Sequence, residues 1–403
     1  MSWQIQYPKH GVYLPQIDWW LDAWRPVQRS FVSHAHYDHL AEHKEFICTP
    51  ATARLVRARM RGRRVEHKLA FGQTEQLTPD CTITLHPAGH MLGSAQCLIE
   101  HAQHGTLLYT GDFNPRGSRT AEPCATPRAD TLVMETTFGK PHYVFPPAEK
   151  VLADIIAFCR ATLADGATPV LYAYTLGKSQ ELLAGLALSG IDGAQLPVML
   201  HPETHRLTRV YETLFAGAGA AGNAGFPLGK RREAPPQTPS GNLALPAETP
   251  APAAATPNTP ASADTSSARQ RPIQNPKSKI ENPFPPHTLF DPDPRALAGH
   301  VVICPPQRDG DSAFLQNIPA RRTAMITGWA VDRATVFRSR CDAAFPLSDH
   351  ADFNDLLRFV EQVQPRLVHT THGFADDFAR ELRARGVEAW PLGREAQMDL
   401  SLG

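Results

Sequence analysis

Ser33-His34-Ala35-His36-Tyr37-Asp38-His39 follows directly on the apolar pair Phe31-Val32 and packs four candidate metal ligands into six residues. That is more than one tetrahedral ion needs from a single loop, so the cluster points to two ions. Its mixture of nitrogen and oxygen donors suits zinc better than magnesium or calcium. The alternation lets His34 and His36 face one ion, while the turn that follows sends Asp38 and His39 toward a second. The remaining ligands are expected at the ends of later apolar runs. His90 follows Pro87-Ala88-Gly89, whose small residues allow close backbone approach. Asp112 follows Leu107-Leu108-Tyr109 and could bridge both ions, and His372 follows Arg366-Leu367-Val368 in Thr371-His372-Gly373. His369 competes with His372 for that last place, and the glycine after His372 favours the latter.

Short β-rich runs alternate with amphipathic stretches on both sides of this framework, which indicates an α/β architecture. Expected strands are Arg29–Ser33, Cys81–Leu85, Leu107–Thr110, Thr131–Glu135, Val170–Tyr174, Pro197–Leu200, Val301–Cys304, Met325–Thr327 and Arg366–His369. Several stop where a His, Asp or Glu begins, the usual way an α/β sheet carries a site on a rigid support. Between them, residues 217–294 are dominated by Pro, Ala, Thr and Ser and are expected to form a disordered insertion. With 403 residues, 42% hydrophobic and 20% charged, the chain has the composition of a folded protein of two to three domains. Forty basic residues balance forty acidic ones, so a polyanion must be met by a local patch. Seven scattered cysteines, none in a Cys-x-x-Cys pair, argue against a disulfide framework. No cationic-apolar leader and no long apolar span is visible, so a cytoplasmic, membrane-free protein is expected.

The His-x-His-x-Asp-His cluster, with Gly89-His90 and Gly111-Asp112 behind it, resembles the metallo-β-lactamase fold superfamily. Lactamases, thioester hydrolases and nucleases share that fold, so the substrate must be read elsewhere. Met134-Glu135-Thr136-Thr137-Phe138-Gly139 looks like the acidic motif of the β-CASP nuclease branch. Leu347-Ser348-Asp349-His350-Ala351-Asp352-Phe353 looks like its second motif, and Thr371-His372-Gly373 like its third. Ala173-Tyr174-Thr175-Leu176-Gly177-Lys178-Ser179-Gln180-Glu181 resembles the turn that opens the inserted cap. Leu21-Asp22-Ala23-Trp24-Arg25-Pro26-Val27 and Ile326-Thr327-Gly328-Trp329 bring the chain nearest to the bacterial ligase-associated DNA exonucleases.

This resemblance implies an αββα metallo-β-lactamase sandwich, residues 1–147 and 346–403, with an α/β β-CASP cap, 148–345, inserted and itself interrupted by 217–294. It implies zinc-dependent hydrolysis of phosphodiesters in single-stranded DNA or RNA, with manganese as an alternative metal and a DNA ligase and helicase as partners. His34, His36 and His90 would hold one ion, Asp38, His39 and His372 the other, and Asp112 both. Asp22 would orient a ligand histidine from behind. His350 would protonate the leaving oxygen with Glu135 holding its charge, though Ser348 or Asp349 reads equally well as a helix cap. A third-motif histidine is more typical of RNA-processing members, including the 3′-end processing type, so His372 leaves DNA and RNA both open. Gly177, Lys178 and Ser179, opening a helix after a strand, would offer N–H groups and a charge to a phosphate.

The basic run Arg54, Arg57, Arg59, Arg61, Arg63, Arg64 and Lys68, with Arg321, Arg322, Arg333, Arg338 and Arg340, either lines a nucleic-acid path or is a solvated surface. Trp19, Trp20 and Trp24 are expected in packing more than in base stacking. Two rivals stand beside the nuclease. A small-molecule hydrolase leaves Glu135, His350 and the inserted domain without a role. A silent binding subunit predicts damaged ligands, and the set is complete.

Overall fold

The computed structural model describes residues 2–191, 193–220, 282–306, 313–318 and 320–393. Strands β1 (Val12–Leu14), β2 (Trp19–Leu21), β3 (Arg29–Phe31), β4 (Glu45–Cys48) and β5 (Val65–Lys68) form a first sheet in that order. A second sheet begins with β6 (Thr74–Thr78), β7 (Cys81–Pro87), β8 (Ala95–His101), β9 (Gly105–Tyr109) and β10 (Thr131–Glu135). The chain then leaves to build an all-parallel third sheet from β11 (Thr168–Tyr172), β12 (Val198–Leu200), β13 (His287–Leu289), β14 (Val301–Cys304), β15 (Arg321–Ile326) and β16 (Ala343–Phe345). It returns to complete the second sheet with β17 (Leu367–Thr371) and β18 (Ala389–Pro391), in the order β18-β17-β10-β9-β8-β7-β6. All nine expected strands are present.

Alternation along the strands builds the layers. Leu107 and Tyr109 of β9 face the first sheet and pack with Leu21, Phe31 and Ile47, whereas Leu108 faces the opposite way. There Leu108, Leu132 and Val368 meet the helices Phe353–Val363 and Ala375–Ala384. The first of these buries Phe353, Leu356, Phe359, Val360 and Val363, the three-to-four spacing of a one-sided helix. On the far side of the first sheet, Phe46 and Cys48 join Ala51, Leu55 and Val56 of the helix Pro50–Arg59. The order is therefore helix, sheet, sheet, helix: the expected αββα sandwich, with a parallel α/β unit inserted between β10 and β17. Asp352 caps the helix Phe353–Val363 by accepting from Asp355 N at 2.9 Å, so neither Ser348 nor Asp349 has that role.

Of the expected disordered insertion, residues 221–281 lie outside the described residues. Its flanks differ from the expectation. The helix Pro202–Ala220 runs past position 217, and 282–294 contains β13, which pairs in parallel with β12. Phe284, 9% exposed, has its ring 6.0 Å from that of Phe215 and 6.3 Å from that of Tyr211. A single aromatic anchor and a three-residue edge strand leave almost no trace in a composition dominated by proline. All seven cysteines are free, and among the described residues no helix is long and apolar enough to cross a membrane. Phe284→Ala should lower the unfolding free energy by about 3 kcal/mol in urea titration; an unchanged midpoint would put this segment outside the folded unit.

Candidate metal centre

Asp22 follows β2, held at a left-handed φ of 48°, and its carboxylate turns back under the His-rich loop. Asp22 Oδ1 accepts from Ser33 N at 2.7 Å, and Oδ2 accepts from Ser33 Oγ at 2.5 Å, His39 Nδ1 at 2.9 Å and Tyr109 Oη at 3.0 Å. Gly111 lets the Asp112 loop descend onto Ser33: a Cβ there would sit 2.5 Å from Ser33 Cβ. Gly89 does the same for His90, since its Cβ would lie 2.3 Å from Asn114 O. Ser94 Oγ accepts from the backbone of both His90 and Met91 at 3.1 Å, and Glu122 accepts from Gly93 N at 2.9 Å.

The outer hydrogen bonds of three imidazoles fix where their protons are. His36 Nε2 is 3.0 Å from Leu176 O and His90 Nδ1 is 2.8 Å from Asp349 O; a carbonyl only accepts, so both nitrogens carry hydrogen. Ser33 spends its one hydroxyl hydrogen on Asp22, so His34 Nδ1, 2.9 Å from Ser33 Oγ, must donate as well. Burial holds His34 and His90 below the ordinary histidine value, and His36 down at about 4, with the crowding of neighbouring histidines adding to the effect. The rings are therefore neutral. His34 Nε2, His36 Nδ1 and His90 Nε2 are left as bare lone pairs, with His36 Nδ1 only 3.0 Å from the first and 3.2 Å from the third. Lone pairs at that distance repel one another unless a cation lies between them. Nitrogens sharing one tetrahedral ion at ~2.05 Å sit about 3.3 Å apart, so the donor set fits a metal.

Asp112 Oδ2 faces this group, 3.6 Å from His34 Nε2 and 3.8 Å from His90 Nε2, and also faces His39 Nε2 at 3.3 Å. One donor atom from each of His34, His36, His90 and Asp112 lies within 4.8 Å of the others. The second expected set is looser. Asp38, its side chain 78% exposed, is 3.9 Å from His39 Nε2, and the His372 ring centroid is 5.3 Å from that of His39. Burial works against a charge on His39, yet Asp112 and Asp22 hold it well above the ordinary value, which marks this corner as one that demands positive charge. His372 has a left-handed φ of 58°, kept in place by Thr136 Oγ1 donating to its carbonyl at 2.7 Å. His369 lies within β17, buried, and is not part of the centre.

His350 stands beside the centre, its ring 4.6 Å from that of His90. Its Nδ1 is 2.8 Å from Glu135 Oε1; Glu135 is itself fixed by Phe113 N at 3.2 Å and Thr137 N at 3.0 Å. Burial disfavours the imidazolium, but the Glu135 and Asp112 carboxylates outweigh it and push His350 up to about 9. A proton is thus held next to the candidate ligands without being needed by them.

His36, Asp38, His39, His90, Asp112, His350 and His372 line a cleft of about 400 Å³ between the sandwich and the inserted unit. Tyr37, Tyr174 and Trp329, 58%, 64% and 38% exposed, line it too, and were not marked as functional by their sequence context. Of the basic run, Arg59 reaches this cleft, stacked 3.8 Å over the Tyr37 ring; Arg57, Arg63, Arg64 and Lys68 line a separate cavity. Arg322 pairs with Asp165 and Arg338 with Asp332. Trp19 is core, Trp20 packs on Tyr13, and Trp24 packs on Tyr7.

Most donors of the expected phosphate cradle have partners within the protein. Gly177 N donates to Gln180 Oε1, Ser179 N and Oγ both donate to Tyr174 O, and Lys178, 4% exposed, spends its ammonium on Leu347 O and Asp349. A Gly-Lys-Ser turn reads alike in sequence whether its lysine reaches outward or, as here, into the interior.

Glu122, behind the His90 turn, makes a pH effect measurable. Burial pushes it up to about 7 from an ordinary 4.5. Between those values the folded chain keeps a proton that the unfolded chain releases. Its contribution is complete below about pH 4.5 and is lost as pH rises through about 7, a decline of about 3 kcal/mol. Glu122→Gln should remove that decline, seen as a melting temperature that falls less than the parent's between pH 5 and 8.

A family model, the Zn-dependent metallo-hydrolase RNA specificity domain, matches residues 341–391, the stretch carrying His350 and His372. The chain is 51% identical over 402 residues to a probable DNA ligase of Opitutus terrae, a match covering all of this chain and 32% of that protein. It is 32% identical over 192 residues to the 5′ exonuclease Apollo of Gallus gallus, 44% of this chain and 41% of that one. An RNase J-like protein of Methanocaldococcus jannaschii is 29% identical over 182 residues, 40% and 43% of the respective chains. The chain thus spans about a third of the first of these relatives and less than half of the other two. Taken with the αββα sandwich and the parallel unit set between β10 and β17, these matches fit a metallo-β-lactamase fold with an inserted cap.

Proposed function

We propose that the chain is a zinc-dependent phosphodiesterase that trims single-stranded nucleic acid, most simply a DNA exonuclease of the cytoplasm working with a ligase and helicase. The division at 147/148 and 345/346 into sandwich and cap is part of that reading. The observation that carries it is the meeting of three bare imidazole nitrogens and Asp112 with a separately held proton on His350.

His34, His36 and His90 would hold one ion, Asp38, His39 and His372 a second, and Asp112 would touch both. Bound divalent ions, two zinc or in their place manganese, supply an activated water and neutralise charge on the phosphate. Asp22 fixes the His39 ring through Nδ1 and the His34 ring through Ser33, so that both present Nε2 inward. His350 delivers its proton to the departing oxygen, and Glu135 keeps that proton on the ring until it is needed. The exposed rings of Tyr174 and Trp329 give unstacked bases a surface at the cleft; Trp329 is backed by Phe138 at 4.7 Å and Tyr143 at 5.4 Å, which keeps it rigid.

The name of the matched domain favours RNA, while the name of the Opitutus relative favours DNA. Digestion of end-labelled single-stranded DNA and RNA of matching sequence separates the two. The DNA is expected to shorten from one end in zinc or manganese and to stay intact in EDTA; preferential loss of the RNA would transfer the assignment to RNA processing. His36→Ala should abolish cleavage together with bound metal. His350→Ala should keep the metal and lose about 10² to 10⁴-fold in kcat. Glu135→Gln should move the alkaline limb of the kcat profile to lower pH, because the imidazolium loses its counter-charge. Trp329→Ala should raise KM for an oligonucleotide about tenfold, the worth of one stacked base, with a smaller effect on kcat.

A further inference from the structure

Lys178 opens the helix Lys178–Leu186 of the inserted unit, yet its side chain points away from that unit into the returning segment. Its ammonium donates to Leu347 O at 3.0 Å and to Asp349 Oδ1 at 2.5 Å. Asp349, also buried, does two things at once: its carboxylate takes the lysine, and its carbonyl takes the His90 Nδ1–H at 2.8 Å. The turn just before Lys178 presses on the same place. A Cβ on Gly177 would lie 3.3 Å from Met91 Cβ, 3.7 Å from His36 Nε2 and 3.8 Å from Asp349 Oδ2, and Leu176 O accepts the His36 Nε2–H. Two of the three bare nitrogens thus owe their state to one turn of the inserted unit. His34 does not, because Ser33 and Asp22 hold it from within the sandwich.

We propose that Lys178 is a positioning residue for the metal centre, pinning Asp349 so that its carbonyl keeps His90 in the tautomer whose Nε2 is free to bind metal. This rests on the reading of His34, His36 and His90 as ligands of one ion. A stabilising role alone would not call for an ion pair here. Two buried charges are expensive to desolvate, and apolar residues of the same volume commonly do as well or better. What a lysine supplies that a methionine does not is a fixed direction for the Asp349 side chain, and with it for the peptide that faces His90. The geometry also makes the centre depend on the inserted unit being seated: lift the 176–178 turn and His36 and His90 both lose their outer partners.

The test is zinc affinity by competition with a chromophoric chelator, on the full chain, for the parent, Lys178→Met, Asp349→Asn, the double variant and His36→Ala. Lys178→Met and Asp349→Asn are each expected to bind zinc about tenfold more weakly, the lower end of what such supporting partners carry. The double variant should be no weaker than either single, since both act through one contact. In nitrogen-15 spectra of the metal-free chain, His90 should be Nδ1–H in the parent and a mixture of tautomers in Lys178→Met, which lost packing alone would not produce. Asp349→Asn preserves shape and carries the test should Lys178→Met fail to fold. Parent-like zinc affinity and a parent-like His90 tautomer in the variants would overturn the proposal while leaving the ligand reading intact, provided His36→Ala loses zinc. A parent that binds no zinc would instead overturn the ligand reading itself.

Discussion

Everything at the centre depends on the outward-facing hydrogen bonds of its histidines. An imidazole offers a metal one nitrogen only if the other keeps its hydrogen, and the protein spends a carbonyl, a hydroxyl or a carboxylate on His34, His36, His39 and His90 to make that so. The requirement explains the irregular backbone nearby. Asp22 adopts a left-handed conformation so that one carboxylate can serve Ser33, His39 and Tyr109, and Gly89 and Gly111 are bare because the loops carrying His90 and Asp112 must touch neighbouring chain. Strain of this kind persists only where surrounding structure over-determines it, and two packed sheets do so here.

The electrostatics divide the histidines into two kinds. Burial and mutual crowding keep His34, His36 and His90 neutral, while facing carboxylates keep His350 charged although it lies against His90. Neighbouring side chains of one type are thereby given opposite chemical roles by their hydrogen-bond partners: a carbonyl for His90, a carboxylate for His350. Divergent environments for like groups are how one fold gives neighbouring histidines different charges.

Much of this was legible beforehand, and the exceptions have physical reasons. The His-x-His-x-Asp-His spacing and the glycines before His90 and Asp112 can be read because chemistry and backbone geometry both restrict those positions to few residue types. Strands such as Leu107–Tyr109 and Val301–Cys304 show because they are apolar throughout. β5, with the sequence Val-Glu-His-Lys, and β6 are polar edge strands whose order comes from backbone pairing, which leaves no mark on composition. Phe284 is a lone aromatic anchor among prolines, too little apolar sequence to stand out. The buried contacts of Lys178 are not visible in sequence because the direction of a long side chain is decided by tertiary partners some 170 positions away, Leu347 and Asp349. The supporting contacts of the centre were equally hidden, since Leu176 and Asp349 act on His36 and His90 through backbone oxygens that no side-chain pattern reports.

The pairing of β10 with β17 joins Thr131 to Leu367, leaving more than 230 residues of chain to be made between two neighbouring strands. A ribosome therefore releases the His-rich loop long before His350 and His372 exist, and the second sheet stays open along one edge until the whole inserted unit has been made. Contacts so distant in sequence form late. Any unfinished or prematurely terminated product lacks both His350 and His372, so the cleft these residues line cannot be completed before the end of synthesis approaches.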